Sequence, residues 1–228
     1  MSVATLAAMS SVPELLRRFQ ARCLPSPATE GRGSVFEQRG EIRLKPDSSW
    51  MPFWAEQWMA ADRVAFCWHA RVKMAPLVTG VVEDAFDGEH GRLDAKIWGV
   101  FPIAHGRGLE VDRGEAQRYL AEIPWNPAAI SDNPDLHFGE GSDGPIRVFY
   151  RDAETYVDLR FDDEGDIVGV FSRSRTRDGE RLPWEGVFGG YADMGGVRVP
   201  THAEVSWHLP TGPFCYWRAA LTRFAWRS

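Results

Sequence analysis

Apolar and polar residues alternate in short bursts, about eleven of them, between Phe36 and Trp226, with Gly, Pro, Asn or Asp separating one burst from the next. A period of two puts successive side chains on opposite faces of a strand, so this is the pattern of a meandering antiparallel sheet. The strands fall near 36–44, 50–60, 64–74, 78–86, 92–99, 146–151, 154–161, 166–174, 184–191, 197–209 and 214–226. Within 64–74, Val64, Phe66, Trp68, Ala70, Val72 and Met74 share one side, and Cys67, His69, Arg71 and Lys73 the other. Two segments carry helical spacing instead. Residues 11–24 begin with Ser11 and Glu14 at capping-box spacing, place Leu15, Leu16, Phe19 and Cys23 on one stripe, and end before Pro25 and Pro27. Residues 112–124 begin with Asp112 and Glu115 at N-cap and N3 spacing, carry Ala116, Tyr119, Leu120 and Ile123 as their stripe, and stop at Pro124.

Residues 1–10 read as a loose tail, 25–34 as a linker, 100–111 as an irregular loop and 131–144 as a surface loop. With no fixed-period repeat and no long internal linker, one domain over 1–228 is expected. Its class is mainly β (α+β): a single curved antiparallel sheet, or open β-barrel, of about eleven strands, with an N-terminal helix and a central helix packed on it. A sheet of that size must curl round something, and a cavity is the expected consequence.

Composition narrows what the cavity serves. The net charge of −6 lacks the basic face that nucleic-acid binding requires. Arg173, Arg175, Arg177 and Arg181 alternate with small polar residues and read as a solvated hairpin tip. Ten Trp and thirteen Phe are unusual in number; some fill the core, and large aromatics also line binding pockets. Cys23, Cys67 and Cys215 are odd in number and lack C-x-x-C spacing, so reduced thiols are expected. The first residues carry no basic start before a long apolar block, and no run of apolar residues is long enough to span a bilayer; a cytoplasmic location is the expectation.

Several stretches carry a family resemblance: Gly40 to Ile42, Pro52 to Gln57, Phe66 to Arg71, Asp84 to Phe86, Arg113 to Trp125, Pro183 to Gly186, and Pro200 to Leu209 followed by Tyr216 to Arg218. Together they resemble an uncharacterised bacterial family of unknown function over residues 12–226. That family is similar in layout to the lipoprotein-carrier half-barrels. The resemblance implies an antiparallel sheet bent round a few helices with an apolar hollow; it implies no catalytic residue.

Candidate chemistry follows from which faces look inward. Asp84 shares a strand face with Val82 and Phe86, so it either meets an Arg (Arg71 or Arg218) or acts as an acid or base with a raised pKa. Glu56 lies between Trp54 and Trp58; a one-residue change of register sends that face outward and makes Gln57 the inward polar group. Glu115, Arg118 and Glu122 form either a salt-bridged helix face or, with Tyr119, a face presented to a ligand. His202, Glu204, Ser206 and His208 lie on one strand face at a spacing too wide for neighbours to chelate one metal, and read as solvated. Phosphate-binding, serine-hydrolase and zincin motifs are absent, and neither metal nor cofactor is expected.

The leading expectation is a protein that binds an apolar or amphipathic small molecule, such as a lipid or a polyketide- or terpene-like metabolite. The pocket wall would come from Trp54, Gln57, Trp58, Trp68, Phe86, Trp98, Trp125, Trp184, Tyr216 and Trp217. The alternative is a cofactor-independent isomerase, cyclase or lyase, with Asp84 or Glu56 as acid or base and Arg218 or Tyr119 polarising an oxygen. A third reading is a partner-binding protein with exposed aromatics, which predicts no hollow.

Overall fold

The computed structural model describes residues 11–24, 33–140 and 146–227. Six strands precede a helical crossing: β1 Gly33–Ile42, β2 Met51–Ala60, β3 Phe66–Ala75, β4 Val78–Phe86, β5 Gly91–Ile97 and β6 Phe101–Gly106. Seven follow it: β7 Leu136–Gly139, β8 Ile146–Tyr150, β9 Asp152–Phe161, β10 Ile167–Arg177, β11 Glu180–Met194, β12 Val197–Leu209 and β13 Gly212–Arg227. All pair antiparallel in one thirteen-stranded sheet, in spatial order β6 to β1, then β13 down to β7. Strands β6 and β7 are therefore the two free edges, although they are consecutive in the chain.

The helices are α1 Glu14–Cys23, α2 Leu109–Ala121 and α3 Ala129–Asp132, with a 3-10 turn at Ile123–Trp125. Helix α2 packs on β4 and β5 from one half of the sheet and on β8, β9 and β10 from the other. Only a curled sheet can bring both halves against one helix. Irregular pairing at Glu37/Gln38, Ser172/Arg175 and Val205/Ser206 helps it bend. The result is a half-barrel whose concave face is the core. No helix among the described residues is long and apolar enough to cross a membrane.

Thirteen strands replace the expected eleven because both edges lay in segments read as loops. Strand β6 contains Pro102, which an edge strand tolerates because one side of its backbone needs no partner. Strand β7 has four residues, too few to show a period. Helix α2 starts three residues earlier than Asp112. Gly108 precedes it at φ 102°, and Asp112 Oδ1 accepts the Gly91 N–H at 2.6 Å instead of capping. Gly91 is needed there: a Cβ would lie 2.9 Å from the Val111 carbonyl oxygen. Helix α1 starts at Glu14 behind Pro13 with no side-chain cap, so Ser11 does not close a capping box; Leu16, Phe19 and Cys23 are buried as the stripe requires. The tail at 1–10 and nearly all of the linker, 25–32, lie outside the described residues, as does 141–145 of the second loop.

The basic run is not a solvated tip throughout. Between Ser172 and Arg175 the register of β10 slips against β11, which reverses the parity of the strand. Arg175 consequently stacks 4.5 Å from the Trp184 ring centre, and Arg177 5.0 Å from that of Phe214.

Candidate functional site

Two cross-strand rows define the concave face at its middle. One runs Phe36, Gln57, Trp68, Asp84, Leu93 across β1 to β5. The other runs Ile42, Trp217, Val205, Gly186, Val170 across β1 and β13 to β10. Between the rows, under α2, lies a cavity of about 260 Å³. Gly186 helps keep it open: a Cβ there would stand 2.8 Å from Val170 Cγ2.

The wall is a chain of ring contacts. Phe53 meets Trp68 at 5.6 Å and Trp217 at 5.8 Å between centroids, Trp217 meets Trp125 at 6.4 Å, and Trp125 meets Phe188 at 5.3 Å. The indole N–H groups of Trp68, Trp125 and Trp184 donate to Gln38 Oε1, the Pro200 carbonyl and the Tyr216 hydroxyl. Each of these three indoles therefore turns an apolar face to the void with its polar edge satisfied.

The far end is charged. Arg118 Nη1 donates to Asp84 Oδ2, its Nε to Glu122 Oε1 at 3.0 Å and its Nη2 to Gln57 Oε1 at 3.2 Å. Gln57 Nε2 donates to the other Glu122 oxygen. The guanidinium also lies 4.9 Å and 5.1 Å from the ring centres of Phe66 and Trp68. Burial pulls the Arg118 pKa down, but the charges of Glu122, Asp84 and Glu115 outweigh it and hold the group firmly protonated. Glu115, one helical turn before Arg118, is 7% exposed. Its Oε2 has no hydrogen-bond partner, and neither does Asp84 Oδ1. Burial, followed by the charge of Asp84, raises the Glu115 pKa well above the ordinary carboxylate range; Arg175 and Arg118 oppose this without reversing it. Glu115 is thus held as a neutral acid beside Asp84.

Of the residues anticipated for this site, Asp84, Trp68, Trp125, Trp184, Tyr216 and Trp217 line the cavity, and Gln57 braces its charged end. Asp84 meets Arg118 rather than Arg71 or Arg218. Others do not belong to the cavity. Trp54, Glu56 and Trp58 alternate with buried Phe53, Ala55, Gln57 and Met59, so they face outward, and Glu56 stands opposite Glu37 and His69 on the outer surface. Arg218 is exposed, paired with Glu41 at 2.6 Å and stacked on Trp50 at 4.5 Å. Tyr119 is fully buried but structural: its hydroxyl donates to the Ala60 carbonyl at 2.6 Å and accepts from Asn133 at 3.1 Å. Phe86 is buried against Tyr150 away from the cavity. Trp98 is 58% exposed in the β5–β6 turn, tied to the Leu77 carbonyl. His202 is exposed on β12; Glu204, also exposed, does line the cavity; and among the described residues no three His, Cys, Asp or Glu side chains gather to hold a metal.

Sequence reasoning did not single out Glu115 as the central group. The available signal was its spacing with Arg118 and Glu122, which puts three ionisable groups on one stripe of a helix whose other stripe is apolar.

The chain belongs to a family of unknown function, DUF6544, whose model matches residues 2–219. No curated protein matches it. Among solved structures it is similar to a LolA superfamily protein from Nitrosomonas europaea, at 10% identity and TM-score 0.50, covering 96% of this chain and 94% of that one. It is also similar to a domain described as outer membrane lipoprotein-sorting, from Vibrio parahaemolyticus, at 11% identity and TM-score 0.51, covering 94% and 92%. At these identities the likeness is one of fold: the half-barrel.

Proposed function

We propose that this chain binds an apolar or amphipathic small molecule in the aromatic-walled cavity. The carrying observation is the unfilled volume of about 260 Å³ in an interior that is otherwise close-packed. An engineered cavity of roughly 150 Å³ holds benzene, so this void suits a guest of about twice that size, such as a bicyclic or short-chain metabolite. Space of that order excludes a molecule with several acyl chains from full enclosure. The lipoprotein-sorting description of a fold relative fits a greasy guest in general and supplies no more than that.

Native mass spectrometry of the purified protein tests the reading. A bound mass that is lost on denaturation is expected. It should also be lost in Val170→Ala/Gly186→Leu, which puts a side chain into the void and removes the methyl groups it would strike. If neither co-purified nor added hydrophobic molecules bind, and the double variant melts as the parent does, the reading fails.

A second reading, cofactor-independent acid–base catalysis in the same cavity, is favoured by one observation: a neutral Glu115 beside an Asp84 anchored by Arg118. A proton donor and a carboxylate held together in a dry site can protonate one atom of a guest and deprotonate another. In this reading Glu115 and Arg118 take the roles first given to Glu56 and Arg218. It requires that Glu115→Gln abolish turnover of a bound guest while the guest still binds; product formation by that variant at the parent rate would end it.

A further inference from the structure

One cation on the cavity wall is uncommitted. Arg118, Arg147, Arg160 and Arg198 are half-buried, and each closes on a carboxylate. Arg175 is half-buried too and lines the cavity, yet among the described residues its guanidinium pairs with no carboxylate and donates no hydrogen bond. All three of its guanidinium nitrogens keep accessible surface. Glu115 lies close enough to feel the charge, but it stays protonated and does not neutralise it. Asp84 and Glu122 are taken by Arg118, and Glu204 stands opposite Arg218 on β13.

The fold holds Arg175 in this place. The slip in register between Ser172 and Arg175 turns it inward, and a bulge is a device that re-aims a side chain. Its guanidinium lies 4.5 Å from the Trp184 ring centre and 6.0 Å from that of Trp207. Gly114 of α2 puts no side chain against it; the Cβ that Gly114 lacks would stand 3.8 Å from Nε. A guanidinium stacked on a ring by its face keeps its edge free, and that edge is the fork that takes a carboxylate through two parallel hydrogen bonds. The same indole carries a second idle donor. The Tyr216 hydroxyl accepts from Trp184 Nε1 at 3.2 Å and gives its own proton to no described acceptor. A guest that enters the void displaces the water such donors otherwise use, so it must bring acceptors of its own.

We propose that the guest is an organic anion: a compact amphipathic carboxylic acid whose ionised carboxylate docks on the free edge of Arg175 while its apolar body lies along Trp125 and Trp217. The proposal rests on the cavity-binding reading above and narrows it to one headgroup chemistry.

Naphthoate, naphthylmethanol and naphthylmethylamine share one bicyclic body and differ in headgroup. Each is titrated calorimetrically into the full chain at neutral pH. Naphthoate should bind at least about tenfold tighter than the alcohol, the worth of one hydrogen bond to a charged group. Arg175→Gln should erase that preference while the alcohol still binds. Arg175→Lys should keep only part of it, because an ammonium lacks the fork. Arg218→Gln, at an exposed position paired with Glu41, should leave the preference intact. Equal affinity for naphthoate and the alcohol, or tightest binding of the amine, would overturn the anion and leave the cavity standing. A naphthoate preference that survives in folded Arg175→Gln would overturn the assignment to Arg175. If Arg175→Gln does not melt cooperatively, Arg175→Lys decides, and an undiminished preference there would overturn the fork. Failure of all three probes to bind a parent protein that melts cooperatively would remove the cavity reading and this one with it.

Discussion

Two buried carboxylate sites sit in the same half-barrel and are treated in opposite ways. Asp166, 3% exposed, follows the β9–β10 turn. It accepts Arg198 through both oxygens at 2.7 and 2.6 Å, and Arg22 of α1 at 2.7 Å. Its acceptors are met by arginines whose side chains stay 36% and 38% exposed, so their far sides are hydrated. This ion pair fastens the N-terminal helix to the sheet. Asp84 and Glu115, 9% and 7% exposed, have no such double clamp: Arg118 meets one Asp84 oxygen, and the two carboxyls lie together at the charged end of an unfilled space. The difference separates a clamp from a pocket wall: one site closes its charge on arginines, the other sets a carboxyl pair beside empty volume.

The contrast can be broken by mutation. The largest loss is expected for Arg118→Ala. It strands Asp84 and Glu122 in a low-dielectric interior and should cost about 4 kcal/mol, read from denaturant melts at neutral pH. Asp166→Ala should come next, at about 3 kcal/mol, because Arg22 and Arg198 can turn to water once their partner is gone. Glu115→Gln should change stability by less than about 1 kcal/mol, since it replaces a neutral acid with a neutral amide. A stability loss from this variant as large as that of Asp166→Ala would erase the distinction between the two sites.

The pH dependence sharpens it. The folded protein raises the Glu115 pKa above its ordinary 4.5, so between pH 4.5 and the raised value the folded state holds a proton that the unfolded state has released. Stability from this group is therefore fully present below pH 4.5 and is lost as pH rises through the window. Melts of the parent and of Glu115→Gln across that range should differ by this falling component, and parallel curves would contradict it. Glu56→Ala should show the smallest effect, within about 0.5 kcal/mol, as for other exposed positions.

Much of the barrel was legible from the chain. The alternation at 64–74 and 197–209 identified central strands because one face of each is buried and the other is not. The edges were hidden for the converse reason. Strand β6 buries neither face, with Phe101 and Ile103 59% and 48% exposed, so no inside–outside alternation is written into it. The site was legible in part. Asp84 and the aromatics Trp68, Trp125, Trp184, Tyr216 and Trp217 were recognisable on strand faces or as pocket-forming types. Glu56 and Gln57 depend on a single step of register, which pairing with β1 and β3 decides and local sequence does not. Glu115 was obscured because Glu and Arg at helical spacing look the same on a solvated face and on an enclosed one. Only the crossing of α2 from β6 to β7, edge to edge over the hollow, encloses it. Arg175 turned inward through a slip in strand parity that its neighbours do not announce.

A high-resolution crystal structure of the protein purified without added ligand is the most direct test that the hollow is a receptor. The cavity bounded by Trp125, Trp184 and Trp217 should persist, with density for a non-protein molecule along those rings. A void closed by repacked tryptophans, with Glu115 turned onto Arg175, would contradict it.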